Sequence, residues 1–346
     1  MGSFKGSLCL FFLFSALFIS TTARAKGERK ERWVHWDRAN GQKRWVDRAR
    51  DPAQALRLLL TYLEQAPTGR RLLAKAHKKA RRLGKTLTDF VEGGKRSLTD
   101  ITLVRHFHPK DWNRFEPRVR FQVRIDRELT MLEAALDLAH ELTHFIEREV
   151  FNPYSLKFSA RQFMAHTIEG KGGEVEAYIA ECMVLDELAG SKEAIQAKCP
   201  KIRLPNGRYS PSKAAQLFYR VGQSYDTVKA ALGFLGVSEK SVPLISPRHP
   251  AFISSAHEAP YPLAALSEYV SIMEKACRND RRRLGLMEKK MREGPNPGEE
   301  NLAEDLRRFK RSYFLRCSKA DLFQLRDILG DRVVKGRALV YTAFRL

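Results

Sequence analysis

Apolar residues recur along this chain at two different periods, and the switches between them outline its elements. Between 52 and 66, Leu56, Leu59, Leu60 and Leu63 share one side of a 3.6-residue repeat. That predicts a helix ending at Pro67-Thr68-Gly69, with a basic helix running on to about Leu83. The period then shortens to two. Residues 118–126 place Val119, Phe121, Val123 and Ile125 on one face and Arg118, Arg120, Gln122 and Arg124 on the other, the mark of a half-buried strand. Residues 100–107 read as a second strand. Thr130 and Glu133 form a T-x-x-E capping box, after which Leu132, Leu136, Ala139, Thr143 and Ile146 return to helical spacing. A further helix is expected to open in the run Gly172–Glu181 and to continue to about Ala189, stopping at Gly190.

Other stretches are less regular. Residues 151–171 show no clear element, and 210–292 read as helical with a Pro-rich interruption at 243–262. Gly294-Pro295-Asn296-Pro297-Gly298 separates a last helical segment and a short apolar tail at 338–344. Residues 32–47 predict a small hairpin turning at Asn40-Gly41. Trp33, Trp36 and Trp45 there would pin it to the main body, or alternatively form a sugar- or surface-binding patch. The sum is an α+β fold, mostly helical, with a small mixed sheet packed on the helix that follows Thr130 and a helical C-terminal region.

Lys5 precedes an apolar run from Leu8 to Ile19, and Ala23-Arg24-Ala25 offers a cleavage site. Residues 1–25 are therefore expected to be a secretory signal peptide, with export to a periplasm or the exterior. No later segment has about 18 consecutive apolar residues, so no membrane span is expected. Residues 26–95 form an N-terminal region, either prosegment or accessory, followed by a core at 96–190 and the C-terminal region at 191–346. Four cysteines remain after the signal peptide, and the expected pairs are Cys182–Cys199 and Cys277–Cys317, each closing a local excursion; four buried thiols are the alternative.

The formal charge is +22, and losing Lys5 and Arg24 with the signal peptide leaves about +20. Such a surface suits an anionic partner such as a lipid surface or a cell-wall polymer. Runs such as Lys78-Lys79-Ala80-Arg81-Arg82 also fit a simple solvated helix face, and no nucleic-acid motif accompanies them, so dedicated nucleic-acid binding is not expected.

The chemistry concentrates in Leu138-Ala-His-Glu-Leu-Thr-His-Phe-Ile146, whose core is His-Glu-x-x-His. Residues four apart on a helix share a face, so His140 and His144 can turn ring nitrogens toward one metal ion. The surrounding residues are uncharged, which buries this helix nearly all round, and inward-facing histidines need partners. Three protein ligands are usual for a catalytic zinc. A third histidine in the metzincin pattern is absent, since those slots hold Glu147 and Val150. Two downstream carboxylates compete. Glu174 shares a face with Ala177, Tyr178, Val184, Leu185 and Leu188 and looks inward. Glu176 shares its face with Asp186 and Glu187, suggesting a rim, and stands as the alternative ligand.

HELTH followed by Gly172-Gly173-Glu174-Val175-Glu176-Ala177 resembles the gluzincin metallopeptidases, the thermolysin-like branch of the HExxH zincins. The resemblance covers about 137–189, and no specific family within the branch stands out. It implies a zincin-like catalytic core at 96–190, Zn2+ as cofactor, His140, His144 and Glu174 as metal ligands, and Glu141 as general base. It implies hydrolysis of peptide bonds in a protein or peptide substrate, with an edge strand pairing with the substrate backbone. It also implies a downstream His or Tyr as oxyanion stabiliser, and His249, His257, Tyr225 and Tyr261 all remain candidates. The family often places an Asp four residues after the Glu ligand to orient a zinc histidine. Tyr178 occupies that slot here, so the supporting shell must differ; Asp137, one turn before His140, is one substitute. His166 is expected to be an ordinary loop histidine rather than a further ligand or substrate contact. The expectation is an exported zinc metallopeptidase. A cell-wall peptide hydrolase of the same chemistry and a non-catalytic cationic surface-binding protein on the same fold are the alternatives.

Overall fold

The computed structural model describes residues 43–108, 111–155, 159–196, 199–236, 249–254, 256–294, 301–317, 325 and 327–329. The signal segment, Trp33, Trp36, the Asn40-Gly41 turn and the tail at 338–344 lie outside these residues.

Two helices open the described chain. Asp51 accepts from Gln54 N at 2.8 Å and Pro52 fills the first turn, which starts α1 (Pro52–Glu64). Leu56, Leu59 and Leu63 are buried on its inner face. Pro67 begins α2 (Pro67–Arg82), whose Leu73, Ala76 and Ala80 are buried while Arg70, Lys78, Arg81 and Arg82 are exposed and Lys79 is half-buried. A short 3-10 turn at Trp45–Arg48 stands where the end of the expected hairpin was placed. Trp45 is buried and its Nε1 donates to the carbonyl of Asp126 at 2.8 Å, so this indole does tie the segment to the body.

The sheet has three strands in the order β1-β3-β2: β1 (Val91–Gly94), β2 (Leu98–His108) and β3 (Asp111–Asp126). β2 and β3 form an antiparallel ribbon, while β1 runs parallel to β3, so the sheet is mixed as expected. β1 was not foreseen; it lies before the expected boundary between 95 and 96, yet pairs with β3 on the other side of it. Phe121, Val123 and Ile125 bury the apolar face of β3 against α3 (Met131–Glu147). Phe145 of α3 sits 5.5 Å from the Phe121 ring and 5.3 Å from Phe90. The Thr130–Glu133 capping box is formed at the start of α3.

Residues 151–171 correct the sequence reading, because they contain α4 (Ala160–Glu169), capped reciprocally by Ser159 and Gln162. His166 thus lies on a helix rather than in a loop. The helix α5 (Glu174–Gln196) runs through Gly190 instead of stopping there. A single interior glycine costs only ~1 kcal/mol, too little to end a helix of this length. The helices α6 (Pro211–Phe218) and α7 (Tyr225–Phe234) follow. Part of the expected Pro-rich interruption is a short hairpin, β4 (Ile253–Ser254) with β5 (Ala259–Pro260), leading directly into α8 (Tyr261–Glu293). The last long helix, α9 (Leu302–Cys317), packs along α8. The fold is mostly helical with one small mixed sheet, an α+β arrangement. No helix among the described residues is long and apolar enough to cross a membrane.

Both disulfides pair as the sequence suggested. Cys182–Cys199 ties α5 to the 3-10 turn after it, and Cys277–Cys317 joins α8 to the end of α9. They close loops with separations of 17 and 40 residues. Loop-closure entropy makes these worth about 3 and 4 kcal/mol at most. Replacing Cys277 and Cys317 together by serine should therefore lower the urea midpoint more than replacing Cys182 and Cys199 together. Equal denaturation midpoints for both double variants and the wild type would contradict this ranking.

Candidate metal centre

The candidate site lies where α3 crosses α5, a contact that both helices bury with small and aliphatic residues. His140 and His144 follow each other by one turn on α3, with ring centroids 4.8 Å apart. Both are almost fully buried. Burial obliges both nitrogens of each ring to find partners. The Nδ1 atoms are engaged away from the cleft: His140 Nδ1 lies 2.9 Å from Glu181 Oε2, and His144 Nδ1 lies 2.7 Å from the carbonyl oxygen of Gly172. With those positions fixed, the Nε2 atoms face the same carboxylate. His140 Nε2 is 3.3 Å from Glu174 Oε2, and His144 Nε2 is 3.4 Å from Glu174 Oε1. Ligand atoms of the three residues lie within 4.8 Å of one another, close enough to hold one metal ion.

Burial of Glu174 works to raise its pKa, but the neighbouring His144 and His140 outweigh that and hold the carboxyl well below the usual carboxylate range. It is therefore ionised at neutral pH, the form a metal ligand requires. Glu176, the alternative ligand, is exposed and accepts from Gly172 N at 2.8 Å. Its carboxylate serves the start of α5 rather than the histidines.

Two residues that hold the imidazoles were not identified from sequence. Glu181 is fully buried, two helical turns beyond Glu174 on α5, and makes the contact to His140 Nδ1 for which Asp137 was considered. The spacing of seven was the available signal. Gly172 is the second. Its φ of +64° suits glycine, and a Cβ there would fall 2.4 Å from Arg148 N and 2.7 Å from Glu147 C. Only a residue without a side chain lets the carbonyl come so close to the end of α3 and still reach His144.

A cavity of about 470 Å³ opens over these residues. Its floor includes His140, Glu141, His144 and Glu174, and the β2 edge, Leu98–Asp100, forms one wall. Thr99 Oγ1 donates to the Glu141 carbonyl at 2.9 Å, fixing that edge to α3. Glu141 is buried, with 3% of its surface exposed, yet it contributes to the cavity lining. The opposite wall comes from the β4–β5 turn and α8. His257 and Tyr261 line it; His249 and Tyr225 are not among the lining residues. The Tyr261 ring is buried in an aromatic cluster, 4.5 Å from Phe218 and 5.6 Å from Phe252. Tyr178 joins the same cluster at 5.8 Å from both phenylalanines, which explains an aromatic residue in that slot of α5.

Arg96 spans the two walls. Its Nη1 donates to the carbonyl of Ala256 at 2.9 Å and its Nη2 to Glu258 Oε1 at 2.8 Å. Glu258 has φ of 54°, within the tight turn that carries His257. His166, on α4, lies outside this cavity; it lines a smaller adjoining one, and its Nε2 is 3.6 Å from Glu149 Oε2.

Comparison of the chain with protein-family models, curated proteins and solved structures gives no match.

The two hidden supports should be measurable. If the three residues hold a divalent metal ion, Gly172→Ala and Glu181→Gln are each expected to weaken its binding by about 10- to 100-fold, as loss of groups that orient ligating histidines generally does. Competition titration with a chromophoric chelator gives the affinity directly. Wild-type affinity in both variants would show that neither contact positions an imidazole.

Proposed function

We propose that the protein is a zinc-dependent metallopeptidase with a zincin-like core at the crossing of α3 and α5. The observation that carries this reading is the pair of Nε2 atoms turned toward the two oxygens of Glu174, with both Nδ1 atoms already occupied. Two imidazoles and one carboxylate suit zinc and leave further coordination positions free. His140, His144 and Glu174 would hold the ion. When bound, zinc supplies Lewis acidity, lowering the pKa of a coordinated water and polarising a carbonyl oxygen.

The remaining work belongs to this chain's own side chains. Glu141 follows His140 on α3 and lines the cavity from a buried position, where its carboxylate can take up a proton. It accepts the proton of the attacking water as the new C–O bond forms. The same proton passes to the departing amine as the C–N bond breaks, so no further acid is required. His257 and Tyr261, across the cavity, supply donors toward the negative charge that develops on the carbonyl oxygen. β2 is the outer strand of the sheet among the described residues and lies beside the cavity, an arrangement that suits pairing with an extended peptide and so a polypeptide substrate. The two disulfides fit an oxidising compartment, in keeping with export.

Metal content per mole of protein tests the ligand set. The expected outcome is about one zinc ion in the wild type and in Glu176→Ala, and none in Glu174→Ala. Loss of zinc in Glu176→Ala alone would reverse the assignment of the third ligand. Glu141→Gln separates binding from chemistry. It should retain zinc while its turnover of casein or a quenched fluorogenic peptide falls by about 10²-fold or more. Undiminished turnover in that variant, or turnover that survives exhaustive chelation, rules out the mechanism.

A further inference from the structure

The cavity over the metal ligands does not end at its own walls. A second, smaller cavity of about 70 Å³ adjoins it, and Thr99, Arg148 and Glu268 belong to the walls of both. Its lining combines an apolar group, Ile101, Val150, Phe151, Phe163 and Ile272, with polar residues that include Asp100, Glu149 and His166. Phe151 and Phe163 pack with ring centroids 4.8 Å apart, and each lies 6.1 Å from Tyr269, which makes a firm aromatic wall. A space of this size takes one side chain, and the apolar members of its lining give that side chain a surface to pack on.

Arg148 is the only cation common to both walls among the described residues. It follows the last turn of α3, and its backbone N–H donates to the His144 carbonyl at 3.0 Å, so its position is tied to the metal helix. Its side chain is poorly satisfied for a residue only 18% exposed. Nη2 reaches Glu174 Oε1 and the Thr167 carbonyl, each at 3.4 Å, the long limit of a hydrogen bond. Nε is buried and has no hydrogen-bond partner among the described residues. A guanidinium carries five donors in a planar fork that matches a carboxylate. Buried donors without acceptors are costly, and an incoming carboxylate relieves that cost.

We infer that Arg148 receives a carboxylate of the substrate, on the side of the metal centre where the annex accepts the neighbouring side chain. This rests on the proposed peptidase reading and narrows its substrate class. The favoured source is the free α-carboxylate of a C-terminal residue. With its apolar side chain in the annex, that residue leaves its carboxylate at the shared wall, beside Arg148 and within one residue of the bond held over Glu141. Removal of an apolar C-terminal residue is the reaction this arrangement selects. An Asp or Glu side chain of an internal residue offers the same ligand chemistry from a different source.

The zinc-loaded full chain can be tested with matched peptides ending in leucine as the free acid or the amide, and with internal Glu or Gln analogues, products being identified by mass spectrometry. The expected result is release of the terminal leucine with kcat/KM about tenfold or more above that for the amide. Arg148→Met should bring that ratio close to one with zinc content unchanged, and Arg148→Lys should restore it only in part. A preference for internal Glu over Gln that disappears in Arg148→Met supports the same contact with the side chain as its source. Equal cleavage of acid and amide and of Glu and Gln peptides, or a preference that survives Arg148→Met, overturns the inference and leaves the peptidase reading intact. Absence of any cleavage overturns the peptidase reading instead. In that event, calorimetric binding of the leucine acid and amide peptides to zinc-loaded wild type and Arg148→Met still decides the role of Arg148. Tighter binding of the acid by wild type alone supports it, and indifferent binding refutes it.

Discussion

Two buried imidazoles on one helix set the central constraint of this structure. Each ring has two nitrogens that burial removes from water, and each nitrogen needs a partner. α3 alone cannot supply them, because its backbone is committed to its own ladder. The partners come from α5 and the turn before it: Glu181 for His140, the Gly172 carbonyl for His144, and Glu174 for both Nε2 atoms. The packing of α3 on α5 is therefore also an electrostatic arrangement, in which one helix carries the basic groups and the other the acidic ones. A sliding of either helix by one residue would leave buried polar atoms unsatisfied, so the site and the fold hold each other in register.

The rest of the molecule serves that crossing from three sides. β3 and the Phe90–Phe121–Phe145 cluster press on α3 from behind. The aromatic group of Tyr178, Phe218, Phe252 and Tyr261 connects α5 to the opposite cavity wall, so a residue lining the cavity is seated in the core. α2 contributes a different support. Lys79 donates to the Ile146 carbonyl and lies 4.5 Å from the Phe121 ring, and Lys75 and Lys171 both pair with Glu147. Burial draws the Lys79 ammonium pKa down, while the Lys171 hydrogen bond is the main cause of the lowered Glu147 carboxyl. Part of the chain's positive charge is thus used internally, at the C-terminal end of α3, where a cation also complements the helix dipole.

How much of this was legible in the sequence depends on whether a feature is local. The Thr130 capping box, the four-residue spacing of His140 and His144 and the inward face of Glu174 are properties of one helix, and periodicity exposes them. The β3 alternation is local in the same way. β1 is not: Val91-Glu92-Gly93-Gly94 has no alternation of its own and becomes a strand only by pairing with β3. α4 is short, and its apolar residues suggest no long stripe, although the Ser159–Gln162 box was there to be read. Glu181 was hidden because its function is a relation between two helices. Gly172 was hidden because its importance is a backbone approach that no composition reveals. The placement of His257 and Tyr261 at the cavity, and of His249 and Tyr225 away from it, follows from how the β4–β5 turn is folded back, again a tertiary matter.

The Arg96 bridge gives the mouth of the cavity a particular character. It joins the sheet side to the turn carrying His257 through contacts that face bulk solvent, with 46% of Arg96 and 54% of Glu258 exposed. A water-exposed pair of this kind is worth ~1 kcal/mol or less and weakens as ions accumulate around it. The mouth of the cavity is thus closed on one side by a solvent-exposed ion pair, while the floor is made of buried side chains. Salt can therefore loosen this contact between the two walls while leaving the packed interior untouched.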